Sequence, residues 1–366
     1  MTGKSMKRRS KYKVLALMSG TSLDGLDLAY CEFVKKGQRW QFNTHASQTV
    51  MYSSGWHRKL STAHQLSGEK LLQLDLEYGT YLGEACKNFI KRKAISEIDF
   101  VASHGHTVFH QPKRKFTFQL GDGVALCKAS GLPVICDFRS LDVLKGGQGA
   151  PLVPVGDHFL FSTFDICLNI GGIANLSMVH NDKRIAFDIC FANMGLNHLS
   201  RKLGKKFDRG GKMAALGSVD RSMLNRLDKI YKSRFGTKPS LGREGFEKHI
   251  LPLLDDKKLK AEDRIRTFVE SIADQIAAAV GSQTGKVRMI ATGGGALNTF
   301  LIQTIQNKLS KQAALVVPDQ SIINYKEAII FGFLGVLRFR NEINILKSVT
   351  GASSDSCSGT MIGFLN

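Results

Sequence analysis

Apolar positions in this chain come in short runs broken by glycine, asparagine and aspartate. Val14-Leu-Ala-Leu-Met18 is followed by Ser-Gly-Thr-Ser, then Leu23-Asp-Gly-Leu26, then a second run from Leu28 to Phe33. Two such runs around a Gly/Asp turn predict a hairpin that opens a sheet. Ile98 to Ala102 predicts a further strand leading into Ser103-His-Gly-His-Thr107, and Val134-Ile-Cys-Asp137 a buried one. The second half starts in the same way. Phe164 to Ile170 reads as strand, Gly171-Gly172 as turn and Asn175 to Val179 as strand; Arg184 to Asp188 is a third, after the turn at Asn181-Asp182. Gly20 and Gly172 therefore share a strand–turn–strand setting about 150 residues apart, the scale of one domain. This hints at a duplicated architecture.

Helical spacing dominates later. Glu262 to Val280 places Ile265, Phe268, Val269, Ile272, Ile276 and Val280 on one face, with Glu270, Asp274 and Gln275 on the other. Lys286 to Thr292 is then a strand, Gly293-Gly-Gly295 a loop, and Asn298 starts another helix. The greasiest stretch, Ala328 to Leu337, is broken by Gly332 and Gly335. It is shorter than the roughly 20 apolar residues that span a bilayer, so a buried helix is expected. Strands alternating with helices, with hairpins among them, predict a mixed α/β class.

At 366 residues the chain exceeds the usual size of one core, so two domains are expected. The Gly- and Pro-rich stretch from Lys145 to Pro154 is the candidate crossing, and Gly146 to Gly149 within it a candidate hinge. The basic start, Met1 to Lys13, has no apolar stretch behind it long enough for a signal peptide. Seven cysteines make an odd count without a CxxC pair, and most lie in apolar runs. They read as reduced thiols of a cytoplasmic protein. Lys and Arg total 51 against 31 Asp and Glu, a net charge of +20. A nucleic-acid partner would account for that, but the charge is scattered along the chain and reads instead as a solubility and association term.

Three glycine turns each follow an apolar strand: Ser19-Gly-Thr-Ser-Leu-Asp-Gly25, Asn169-Ile-Gly-Gly-Ile-Ala-Asn175 and Thr292-Gly-Gly-Gly-Ala-Leu-Asn298. Such turns let backbone approach a ligand and present N–H groups to an anion. The third also feeds a helix N-terminus. None is a P-loop, and no GxGxxG follows the first strand. One such turn alone would be read as structural. Three, spread along the chain, favour a ligand. His104, His106 and His110 lack an i,i+4 pair or a nearby cysteine, so hydrogen bonding or packing is expected of them, and no metal site.

Ser19 to Asp27, Ser103-His-Gly-His-Thr107, Asp137-Phe-Arg139, Gly146-Gly-Gln-Gly-Ala-Pro-Leu-Val-Pro154, Leu168-Asn-Ile-Gly-Gly172 and Thr292-Gly-Gly-Gly295 stand in order along almost the whole chain. This series resembles the landmarks of the anhydro-N-acetylmuramic acid kinases. The resemblance implies an α/β, two-domain actin-like (ribonuclease H-like) ATPase fold with ATP and Mg²⁺ in an interdomain cleft. It implies an N-terminal lobe of 1–142 with 345–366, carrying the first phosphate loop and part of the sugar site. A C-terminal lobe of 143–344 would carry the catalytic aspartate, the second phosphate loop and the nucleoside site. The implied reaction hydrolyses the 1,6-anhydro ring of anhydro-N-acetylmuramic acid and phosphorylates O6, in recycling of cell-wall fragments.

Carried over by residue, the resemblance implies ATP contacts from Gly20, Thr21, Ser22, Leu23, Asp24, Gly25, Leu26 and Asp27, from Gly171 and Gly172, and from Gly293, Gly294 and Gly295. Asp188 would be the catalytic general base, and Thr107, Arg139 and Glu327 would line the sugar site. Arg139 could grip the lactyl carboxylate or pair with Asp137 or Asp142; Glu327 could bind sugar hydroxyls or cap the helix it begins. Two departures stand out. Cys190-Phe-Ala-Asn193 replaces a Gly-Pro-Gly-Asn-like stretch, and His106 stands where the family often has glutamine. The partners implied are the sugar and ATP, without nucleic acid or membrane, and a homodimer is compatible. The rival readings are a conventional amino-sugar kinase without ring hydrolysis, a non-catalytic actin- or Hsp70-like nucleotide-binding module, and a nucleic-acid binder.

Overall fold

The computed structural model describes residues 9–20, 23–181, 183–236, 241–281, 287–310 and 312–364. The chain divides into two compact units, residues 1–160 with 325–366, and residues 161–324.

In the first unit, β1 (Lys11–Ser19), β2 (Leu26–Lys36) and β3 (Arg39–Val50) form an antiparallel meander. β4 (Phe100–Gln111) and β6 (Val134–Cys136) extend it in parallel from β1, and β5 (Phe116–Leu120) pairs with β4. The last strand, β12 (Thr360–Ile362), pairs antiparallel with β6, so the sheet runs β3-β2-β1-β4-β6-β12. Alternate side chains of β1 serve opposite faces. Leu15 and Leu17 join Tyr78, Leu82 and Phe89 of helix Gly68–Lys93 in one core. On the other face helix Gln320–Phe339 brings Phe333 against Phe33, Gly332 against Ala16 and Gly335 against Ala102 and Phe100. The apolar Ala328–Leu337 run is thus a buried helix, as its pattern predicts.

The second unit repeats the scheme. β7 (Ile166–Ile170), β8 (Ile173–His180) and β9 (Lys183–Phe191) form a meander; β10 (Val287–Thr292) and β11 (Ala313–Val316) continue it in parallel, in the order β9-β8-β7-β10-β11. Helix Ala261–Val280 covers this sheet with Ile265, Phe268, Val269, Ile272 and Ile276, the stripe read from the sequence. A three-strand meander extended by parallel strands, occurring twice in one chain, is the duplicated ribonuclease H-like design of actin-like ATPases. The repeat that the glycine turns hinted at is therefore real.

The boundaries differ from the expectation of 142/143 and 344/345; the units part at 160/161 and 324/325. The Gly146–Pro154 stretch lies inside the first unit because its backbone is tied down there. Gln148 N–H donates to the Thr350 carbonyl, and Gly147 and Gly149 N–H groups donate to Asp142. Beyond it, the short helix Val153–Phe159 seats Gly156 on Ile330, and Asp157 pairs with Lys326. A segment so tied is a brace and not a hinge. The strand expected at Ile98–Ala102 also runs on, through the His-Gly-His segment to Gln111, because β5 pairs with that extension.

Candidate functional site

In the second unit a polar row crosses the sheet where the central strands end. Asp188 of β9 faces Asn175 of β8, which faces Asn169 of β7, which faces Thr292 of β10. Directly paired residues share a face, so these four polar side chains line one side of the sheet at its end. A bulge decides the place of Asp188: Ala174 pairs with Cys190 but Asn175 with Asp188, leaving Ile189 as the extra residue. Bulges of this kind re-aim side chains. Here Ile189 turns into the core and the carboxylate stays half-buried at the strand end.

The Asp188 carboxylate accepts a hydrogen bond from the Leu241 backbone N–H at 2.9 Å. Burial raises its proton affinity above the ordinary aspartate value, and the Leu241 N–H opposes that only in part. A carboxylate that is held and half-desolvated is equipped, in its ionised form, to take a proton from water. The acid limb of a kcat–pH profile should therefore lie above the pH at which a free aspartate titrates. A limb at the ordinary value would show that Asp188 does not govern it.

The replaced stretch after Asp188 fits regular structure. Cys190 and Phe191 complete β9 and neither takes a positive φ; Ala192, at φ −126° and ψ −100°, caps the helix that follows. The Phe191 N–H donates to the Tyr231 hydroxyl at 3.1 Å, and its ring packs edge-on against Phe235 and Phe246. Helix Asn193–Lys202 then begins against the second glycine turn. The N–H groups of Ala192 and Met194 donate to the Gly172 carbonyl and that of Asn193 to the Gly171 carbonyl. With its carbonyls engaged, the Gly171–Gly172 turn lies at the positive end of a helix dipole.

The third turn adjoins the second. The Asn193 side chain donates to the Ile170 carbonyl at 3.0 Å and lies beside Gly294. A Cβ on Gly293, whose φ is +79°, would stand 2.5 Å from the Asn169 side-chain oxygen and 2.8 Å from the Ile170 carbonyl. Glycine is required at Gly293 by that close approach, and Gly294 is exposed beyond it. Asn298 caps helix Thr299–Leu309 through the Leu301 N–H, as its position predicts. Asn169, Asn175 and Asn193, which the sequence reading did not single out as site residues, join the two turns to Asp188. Asparagine recurring at strand ends beside glycine is the signal that could have found them.

In the first unit the first glycine turn links β1 to β2; Thr21 and Ser22 lie outside the described residues. Leu23 sits at φ +58°, a left-handed conformation that costs a leucine about 1–2 kcal/mol. Asp24 is exposed, whereas Leu26 points into the core and can offer a ligand only backbone. Gly25 is needed where it is because a Cβ would meet the Val50 carbonyl at 2.7 Å. Asp27 is half-buried, accepts from the Thr49 hydroxyl at 2.6 Å, and has its carboxyl raised by burial. Ser19, at the start of the turn, shares a 3.0 Å hydrogen bond with His106 and accepts another from the Tyr52 hydroxyl at 2.7 Å. Burial pushes His106 down to about 4, so the ring that replaces the usual glutamine is neutral at neutral pH.

Thr107 lies half-buried on β4 opposite Gln119 of β5, beside a register shift. Arg139 follows Asp137, which sits at φ +54° and accepts from the Ser140 backbone N–H and hydroxyl. Asp142 accepts from the Gly149 N–H and the Thr350 hydroxyl. Neither aspartate pairs with Arg139, which donates instead to His104 Nε2 and to the Gly149 carbonyl. Glu327 does not begin a helix; it is the eighth residue of Gln320–Phe339, so the capping alternative falls. Its carboxyl is raised by desolvation and drawn back by the charges of Arg139 and Lys326. The three sugar-site candidates thus all belong to the first unit and Asp188 to the second. Among the described residues no three His, Cys, Asp or Glu side chains form a metal-binding group.

The family model for anhydro-N-acetylmuramic acid kinase matches residues 12–363. The chain belongs to that family. The anhydro-N-acetylmuramic acid kinase of Francisella tularensis subsp. novicida is 33% identical, over 94% of this chain and 97% of its own. That of Haemophilus influenzae is 32% identical, over 93% and 95%. Among solved structures, the xylulose kinase of Lactobacillus acidophilus covers 89% of each chain at 9% identity and a TM-score of 0.43, too low to add to the fold assignment. Membership makes this chain a kinase and accounts for the order of its glycine turns. No helix among the described residues of this kinase is long and apolar enough to cross a membrane.

Proposed function

We propose that this kinase cleaves the 1,6-anhydro bridge of anhydro-N-acetylmuramic acid with water and phosphorylates the freed O6, using ATP and Mg²⁺ in the cytoplasm. The observation that carries the hydrolytic half is the held, half-buried carboxylate of Asp188, beside which no other acidic group competes in the row. In this reading Asp188 takes a proton from water as the water oxygen bonds to C1. The C1–O6 bond breaks, and O6 attacks the γ-phosphorus. The bond to the bridging oxygen then breaks and ADP leaves. Asp188 returns its proton to solvent, so atoms and charge balance as sugar, ATP and water giving the 6-phosphate, ADP and a proton.

The residues present fit the triphosphate. Gly172 and Gly294 have no atom closer than 3.6 Å to where a Cβ would stand, so the amide-rich surface beside them lies open, anchored from behind by the start of a helix. Mg²⁺ usually keeps phosphate and water ligands with only one or two carboxylates, so a ready three-carboxylate cage is not required; Asp27, half-buried beside the first glycine turn, is the acidic candidate. The ion would supply charge neutralisation for phosphoryl transfer. Thr107, Arg139 and Glu327 would contact the sugar, Arg139 through its lactyl carboxylate. Nucleic acid has no part in this reading, and a homodimer is compatible with it.

Incubation with Mg-ATP and the anhydro sugar in ¹⁸O-labelled water tests it. The product should gain one phosphoryl group and one water, with label on C1. A gain of the phosphoryl group alone would leave a conventional sugar kinase.

A further inference from the structure

Arg139 is held in an unusual way for a guanidinium in a crowded site: both of its polar partners are uncharged. Its Nε donates to His104 Nε2 at 3.0 Å, and its Nη1 donates to the Gly149 carbonyl. The imidazole state follows from geometry alone. Arginine can only donate, so His104 Nε2 must carry a bare lone pair. His104 Nδ1 stands 2.8 Å from the Gly105 carbonyl, which can only accept, so the proton is on Nδ1. The ring is therefore the neutral Nδ1–H tautomer. Burial and the nearby guanidinium agree, pushing His104 down to about 3.

The ring itself has little freedom. His104 is 5% exposed and lies 4.5 Å, centroid to centroid, from Phe331, which also packs against Phe138 and beneath the guanidinium. Gly149 is equally fixed, since its N–H is bound by the buried Asp142. Two rigid acceptors thus occupy two of the five N–H donors of Arg139. Asp137 and Asp142, the carboxylates closest in sequence, are turned to Ser140, Gly149 and Thr350. Glu327 contributes its field but no ion pair within 4 Å among those of the described residues. A carboxylate partner in place of His104 would orient Arg139 as well, but would cancel its charge. A neutral acceptor orients it and adds no negative charge beyond the field of Glu327, so the guanidinium can still attract an anion.

We propose that His104 is a positioning residue for substrate specificity: it aims the Arg139 guanidinium, without itself neutralising it, at a carboxylate carried by the sugar. This rests on the kinase reading above and adds a residue to it. Three donors of Arg139 remain, enough for a two-pronged contact with one carboxylate. Without His104 the guanidinium keeps its charge but loses its aim. The penalty should then fall on sugars that bear the carboxylate.

The test compares 1,6-anhydro-N-acetylmuramic acid with 1,6-anhydro-N-acetylglucosamine, which lacks the lactyl group, using the full chain. The wild type should prefer the first in kcat/KM and in calorimetric affinity. In His104→Ala that preference should shrink by about tenfold or more, mainly through KM, the size expected for one misaligned charge-assisted contact. His104→Gln, whose amide oxygen can accept from Arg139, should restore much of it. An equal loss on both sugars, with a lowered melting temperature, would mean a merely structural histidine and overturn the proposal. An unchanged preference in His104→Ala would overturn it too. A wild type that neither binds nor phosphorylates either sugar would instead remove the kinase reading, and this role with it.

Discussion

Asp188→Asn is expected to lower turnover by about 10²–10⁴-fold, the usual worth of a positioned general base. Asparagine keeps the shape and can still accept from the Leu241 N–H, so geometry is preserved while proton transfer is lost. The fold should not suffer. Burial raises the Asp188 carboxyl, so the native state binds that proton more tightly than the unfolded chain does. The resulting penalty appears as pH rises through the folded-state value. A neutral amide removes it, and the melting temperature at pH 7 should be unchanged or slightly higher. Single-turnover rates with pre-bound Mg-ATP, set beside thermal melts, give both readouts. A variant with wild-type turnover would dismiss Asp188 as the base. One that is inactive because it is unfolded would show a structural aspartate.

Lys326→Met should cost the first unit about 3–5 kcal/mol, because it breaks a buried ion pair by removing one partner. Lys326 Nζ lies 2.7 Å from Asp157 Oδ1, with the two side chains only 6% and 5% exposed. The pair joins the short helix Val153–Phe159 to Gln320–Phe339, directly before Glu327. Methionine fills the volume of the lysine stem, so the loss reads mainly as the removal of the Lys326 charge from beside Asp157. Adding Asp157→Leu should recover much of that stability, since an apolar pair of similar volume is often as stable as a buried ion pair. Denaturant titration of the single and double variants measures both. Additive losses would mean that the two charges are not coupled.

These expectations differ in how far the sequence foretold them. The helix Ala261–Val280 and the hairpin β1–β2 were legible because their apolar spacing is a local property, set within a few turns or a few alternations. Asp188 was legible only through the family motif; alone it would pass for a strand-end turn residue. The glycine turns were visible as candidate sites, yet the conformational demand on each glycine was not. Gly25 and Gly293 are demanded by neighbouring backbone, while Gly172 and Gly294 stand open.

What one strand of residues could not announce were features made by distant partners. Strand β4 extends past His106 to Gln111 because β5 comes back to pair with it. The brace at Gly146–Pro154 looked like a crossing because glycine and proline mark turns everywhere; its ties to Asp142 and Thr350 appear only once the C-terminal residues fold back. Arg139 was read with nearby aspartates, since spacing can suggest only neighbours. Its actual partner among side chains lies 35 residues away. Periodicity and motif order are written in local chemistry, so fold class, duplication and family could be read directly from the chain. The bulge at Ile189, the unit boundaries and the tautomer of His104 depend on which surfaces meet after collapse, and contacts across long loops leave no periodic trace in the residues that make them.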